Sequence, residues 1–288
     1  MNHVTKIEND WEFQLPARMN IAAFQHRNDL FEIYEHDFLE FDTFDFYFRS
    51  AICNEIDDPK ITLAIGVELA SLFNGASKMA TSQPELLAVL NLYGGGQKVH
   101  LSLFRESSGP TDSEVAEIFE DSPPSTDSAD ETTPATSSVP IDIRSVVKAN
   151  AMKHLNSDSA TKLQWQTLLI LEAVTSETIY DLLKYFSAPF SWISLYKIYE
   201  TLENGYMSEA RGRGLQLSVF EKGCSLKERF KFSANKFQVS GVEGRHARDK
   251  EQALFSKQPL NLDDSIELWR KTAKDFLEWR ISSAGPIV

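Results

Sequence analysis

Apolar and polar residues alternate first with a period of two and later with a period between three and four, and the change of period divides the chain. Phe13 and Leu15, Ile21 to Phe24, Phe31 with Ile33, and Phe44, Phe46 and Phe48 form short apolar runs with every-other-residue character. Successive side chains of a strand point to opposite faces, so such runs send one row into a core and leave the other row wet. Pro16, Arg27-Asn28-Asp29 and Asp57-Asp58-Pro59 break the runs. The pattern predicts the strands of a meander or partial barrel.

From Pro59 the spacing changes. Ile61, Ile65, Leu69, Leu72 and Phe73 recur every three or four residues behind a proline suited to the first turn, which predicts a helix to about Met79. Asn74-Gly75 falls inside it and marks either its true end or a close packing contact. After Pro84, the run Leu86 to Tyr93, the triplet Gly94-Gly95-Gly96 and the run Val99 to Phe104 read as a hairpin closed by a glycine turn. Residues 1–105 are thus expected to form a strand-rich α+β domain.

Residues 106–140 are built mostly from Ser, Thr, Pro, Asp and Glu with almost no aromatic content. Such a stretch buries too little apolar surface to offset its ordering entropy and reads as a disordered acidic linker. Within it only Val115, Ile118 and Phe119 suggest a local turn or a docking motif. Beyond Pro140 the spacing is helical: Val146 to Leu155, Leu163 to Val174, Thr178 to Phe186, Phe190 to Leu202, Leu226 to Phe237 behind Ser225, and a last helix started by Asp263 or Asp264. In that last helix Ile266, Trp269, Ala273, Phe276 and Trp279 share one face. Residues 141–288 therefore read as an all-α helical bundle, and the whole chain as α+β.

Charge sharpens this division. The net charge of the 288 residues is −13, yet residues 106–140 hold nine acidic and no basic residues, whereas residues 205–257 hold 11 Lys/Arg against 6 Asp/Glu. A surface coated with basic residues for nucleic acid is excluded for the chain as a whole and retained only for that one region. Cys53 and Cys224 lie far apart with no CxxC and no His at ligand spacing, which argues against a disulfide framework or a zinc site. The N-terminal residues lack a signal-like pattern, and no apolar run is long enough for a membrane span. The expectation is a cytoplasmic protein without membrane segment, metal or cofactor.

The densest chemistry lies in Ser225 to Gln252, within the basic region. Phe230, Ala234 and Phe237 share a helical face, with Arg229, Lys231 and Lys236 around the rest. Gly241 and Gly244 mark a turn, and Arg245 and His246 follow it directly. A proton carrier beside a fixed cation is what phosphodiester cleavage without metal requires. His246 would move the proton, Arg245 or Arg229 would neutralise charge on the phosphate, and Asn235 would orient either. The bland reading, in which these residues knit helices together, competes with it throughout.

The combination Leu195-Tyr196-Lys197-Ile198-Tyr199-Glu200, Arg229-Phe230, Ala234-Asn235, Gly241 and Arg245-His246 resembles a group of bacterial proteins of unassigned activity that share an "RF…AN…G…RH" signature. The same half of the chain is loosely similar to HEPN domains. That resemblance implies an all-α bundle, dimerisation, and in many members metal-independent cleavage of RNA by an Arg and a His a few residues apart on one helix. Here Arg245 adjoins His246, and neighbouring helical positions point about 100° apart; Arg229 lies far upstream. The spacing therefore favours a HEPN-like domain used for binding over one used for catalysis.

Other motifs resolve to structure. Gly94-Gly95-Gly96 lacks the Lys-Ser/Thr of a phosphate-binding loop. Asp37, Glu40, Asp42 and Asp45 suit the wet face of a sheet. Arg211-Gly212-Arg213-Gly214 is a single short copy of a phosphate-touching motif. No Ser/His/Asp, Cys/His or dinucleotide signature is present. The reading is a non-catalytic interaction or regulatory protein with a protein partner or a second copy of itself. A metal-independent endoribonuclease or RNA-binding protein acting through residues 205–257 stands as the alternative.

Overall fold

The computed structural model describes residues 11–15, 27–28, 31–38, 43–54, 56–81, 86–94, 97–101, 118–119, 145–147, 165–235 and 258–283. The chain divides into two compact units, Met1–Ala70 with Leu87–Thr161, and Ser71–Leu86 with Lys162–Val288. The strand-rich front and helical back give the α+β class read from the period change.

The first unit is built on an antiparallel sheet of β1 (Glu12–Leu15), β2 (Arg27–Asn28), β3 (Phe31–Phe38), β4 (Thr43–Arg49), β5 (Asn91–Gly94), β6 (Gln97–Leu101) and β7 (Ile118–Phe119), in the order β2-β3-β4-β1-β5-β6-β7. Register sets the faces: Phe13 lies opposite Phe48 and Leu92, and Ile33 lies opposite Phe48. These four are buried, and the rings of Phe13 and Phe48 stack at 4.5 Å. The alternate positions carry Glu12, Gln14, Tyr34, Tyr47 and Tyr93. On this face the Tyr34 hydroxyl donates to Glu12 at 2.5 Å and the Tyr93 hydroxyl to Gln14 at 3.2 Å. Burial, reinforced by the bond to Glu12, pushes the Tyr34 phenol well above its ordinary range. The hairpin expected around the glycine triplet is β5–β6, paired from Asn91–His100 to Gly94–Gln97. Within the stretch read as a linker, Ile118–Phe119 pair with β6; its other residues lie outside the described ones.

Helix α1 (Pro59–Ala80) starts where the sequence places it, because the Asp58 carboxylate accepts from the Lys60 N–H at 2.8 Å and Pro59 needs no donor in the first turn. Asn74-Gly75 does not end it. A Cβ at Gly75 would lie 2.0 Å from the Leu183 carbonyl oxygen, so the glycine is there for close packing.

In the second unit the helices are α2 (Trp165–Thr175), α3 (Glu177–Ser187), α4 (Trp192–Gly205), α5 (Ser225–Asn235) and α6 (Leu262–Ser283). Ser176 caps α3, and Ser191 forms a capping box with Ser194 at the start of α4. A π-helical turn, Tyr206–Ala210, extends α4, with the Arg211 N–H bonded to the Tyr206 carbonyl at 2.8 Å. The core centres on Trp269, fully buried and in ring contact with Tyr199, Phe220 and Phe230 at 5.2, 6.1 and 4.9 Å. Buried Glu172 meets Arg280 at 3.5 Å, and Arg280 also bonds Glu209, tying α2, α6 and the π-turn together. The expected helix from Val146 is described only at residues 145–147, which are helical.

Two helix starts differ from the expectation. The last helix is capped not by Asp263 or Asp264 but by Asn261, whose side chain accepts from the Asp264 N–H at 2.7 Å. Several adjacent residues have capping chemistry, and the one placed just before the first helical residue takes the role. Ser225 stands as the first residue of α5 rather than before it, and the Cys224 carbonyl receives the Glu228 N–H at 3.2 Å.

Candidate functional site

Helix α5 carries the described part of the signature. Phe230, Ser233 and Ala234 are buried, whereas Arg229 and Lys231 are half-buried along its other side. Phe237, Gly241, Gly244, Arg245 and His246 lie outside the described residues.

The chemistry of α5 is spent on the segment that leads into α6. The Arg229 Nε–H donates to the Gln258 carbonyl at 2.6 Å. One turn further on, the Ser233 hydroxyl accepts the Leu260 N–H at 2.8 Å in a buried contact. The two bonds form a clasp that holds residues 258–260 against α5. Each covers a backbone group of an irregular segment that would otherwise have no ladder partner.

Asn235 is the last described residue of α5. Its side-chain oxygen is buried and has no hydrogen-bond partner among the described residues. Arg229 and Asn235 do not converge: six residues apart on a helix, their side chains leave the axis about 120° apart. Of the four candidate residues, the structure therefore describes two, on separate faces of one helix, with the arginine already bonded.

Beside the clasp, the Lys227 ammonium meets Glu203 of α4 at 3.2 Å, and the Tyr199 hydroxyl donates to the same carboxylate at 2.5 Å. Burial, helped by that hydrogen bond, pushes the Tyr199 phenol well above its ordinary value. This network joins α4 to α5. The Arg211–Gly214 stretch forms a tight turn in which the Arg213 N–H bonds the Ala210 carbonyl at 2.9 Å, made possible by the positive φ of Gly212. Its Arg213 carbonyl accepts from the Trp279 indole at 3.3 Å.

A second feature had no signature in the sequence. An open groove of about 510 Å³ runs between the end of α1 and the first turns of α6, lined in part by Lys78, Phe190, Asp263 and Asp264. The Lys78 ammonium donates to the Ser187 and Ala188 carbonyls at 2.8 and 2.9 Å, where the last carbonyls of α3 lack helical partners. Burial lowers its pKa from the ordinary value of 10.5. These residues come from distant parts of the chain, so no spacing rule could have grouped them.

Among the described residues no cluster of His, Cys, Asp or Glu has the arrangement of a metal site, and no helix is long and apolar enough to cross a membrane. Compared with protein-family models, characterised proteins and solved structures, the chain matches none.

Proposed function

We propose that the protein is a non-catalytic interaction protein, in which a strand-rich α+β domain and a HEPN-like all-α bundle flank an acidic linker and engage a protein partner or a second copy of the chain. The observation that carries this reading is the bond from Arg229 to the Gln258 carbonyl at 2.6 Å. An arginine that would neutralise a phosphate has its Nε–H committed to the backbone of its own fold, and Ser233 is committed beside it. On this reading Arg245 and His246 serve the same end, as polar residues that hold the bundle together.

The alternative, metal-independent cleavage of RNA, draws on one observation, the buried side-chain oxygen of Asn235 that has no partner among the described residues. Such an oxygen suits a residue that orients a histidine. Melting curves of His246→Ala and Asn235→Ala against wild type separate the two. The interaction reading expects a lower melting temperature for His246→Ala, because breaking a buried polar contact costs on the order of 1–3 kcal/mol, and little change for Asn235→Ala, whose side-chain oxygen has no partner among the described residues to lose. Unchanged melting of His246→Ala with loss of RNA cleavage overturns it.

A further inference from the structure

We propose that the groove between the end of α1 and the start of α6 docks a basic amphipathic peptide segment of a partner protein, with apolar side chains against Leu86, Phe190 and Ile266 and Lys or Arg side chains against Asp263 and Asp264. This rests on the reading of the protein as an interaction protein and adds the site and the chemistry of the partner.

Shape and charge decide the occupant. The groove, about 510 Å³, lies within the size range of sites that take a small ligand or a few side chains. Its apolar wall is open: Leu86 is 42% exposed, one of few large apolar side chains of the described residues left so accessible. With Phe190 and Ile266 it gives the groove an apolar wall.

The charges around it are unequal in what they have left to offer. Lys78 is spent on the Ser187 and Ala188 carbonyls, and its ammonium lies 5.4 Å from the Phe190 ring centre. Arg270 is paired with Glu267. Asp263 and Asp264 are exposed on the rim and form no ion pair with any described residue. An incoming chain thus meets apolar surface beside three carboxylates, Asp263, Asp264 and Glu267, against the two cations Lys78 and Arg270, an acidic balance that favours cations over phosphate. A basic amphipathic segment satisfies both features. A nucleic acid or an acidic peptide does not satisfy both.

The test is fluorescence anisotropy of a labelled amphipathic helix of leucine and lysine, titrated with the full-length protein, beside its leucine–glutamate counterpart and a single-stranded RNA oligonucleotide. Wild type is expected to bind the Leu/Lys peptide best. Asp263→Asn with Asp264→Asn, and separately Leu86→Glu, are each expected to weaken it roughly tenfold. Glu221→Lys, an exposed acid on another turn, controls for general attraction to an acidic protein and is expected to change little. Melting curves check that Leu86→Glu, which leaves the start of α6 intact, is folded. Leu/Lys binding that is equal across wild type and both groove variants overturns the groove while leaving the interaction reading standing. Preferential binding of RNA or of the Leu/Glu peptide overturns the groove's proposed chemistry, and RNA cleavage would overturn the interaction reading as well.

Discussion

The Nε–H of Arg229 donates to the carbonyl of Gln258, 29 residues further along the chain, at 2.6 Å, and so fixes the approach to the last helix. Ser233, one turn away, receives the Leu260 N–H in a buried position. A helix whose basic residues invite a phosphate is, at these two positions, a structural fastener.

That fastener predicts graded losses. Ser233→Ala leaves the Leu260 N–H buried without an acceptor and is expected to destabilise by about 1–3 kcal/mol. Arg229→Ala removes a charge-assisted bond at a half-buried site and is expected to lower stability by roughly 1 kcal/mol, with Arg229→Lys recovering little because the bond comes from the guanidinium Nε. Urea denaturation midpoints measure both, and unchanged midpoints would remove the clasp.

Gly75 sits in the middle of α1, where alanine would ordinarily gain up to about 1 kcal/mol of helix propensity. A Cβ there would come within 2.0 Å of the backbone oxygen of Leu183, which cannot swing aside as a side chain would. Gly75→Ala is therefore expected to destabilise by roughly 1–3 kcal/mol, the range for overpacking. A stabilised variant in thermal melting would show that α1 and α3 do not approach so closely.

Trp269 is fully buried, yet its indole nitrogen has no hydrogen-bond partner among the described residues. Its contribution is packing. Trp269→Phe is expected to cost much less than Trp269→Ala, for which a cavity penalty of roughly 3–5 kcal/mol applies. Equal losses in the two variants, read from denaturation curves, would assign the indole N–H a partner.

Cys53 gives a pH dependence with a definite sign. Complete burial pushes its thiol pKa up from the ordinary 9.0. Below that pH both folded and unfolded chains keep the proton, and the thiol adds no slope. Above it the unfolded chain releases the proton while the folded chain retains it, so stability falls as pH rises, by roughly 1 kcal/mol per pH unit. Between pH 9 and 10, Cys53→Ala is expected to show a shallower decline in denaturation midpoint than wild type. Parallel declines would mean that the thiol is not shielded.

Much of this architecture could be read from residue spacing. Phe13, Phe46 and Phe48 announced their buried face because strand side chains alternate, and Ile61 to Phe73 announced α1 because apolar residues recurred at helical spacing. Gly75 was readable only as a choice between an end and a contact, since a glycine's local signal is the same for both. The capping role of Asn261 and the π-turn at Tyr206–Ala210 depend on one-residue differences that periodicity does not resolve. The clasp was not legible, because the sequence shows that Arg229 carries charge but not that the Gln258 backbone returns to meet it. Arg245 and His246 remain a proposal from sequence, as they lie outside the described residues.

The proposed function requires that the polar residues of the signature hold the bundle together and do no chemistry. Incubation of purified full-length protein with total RNA in EDTA, beside His246→Ala, tests it most directly. Intact RNA with both proteins is the expected result. Cleavage by wild type that His246→Ala abolishes would contradict it.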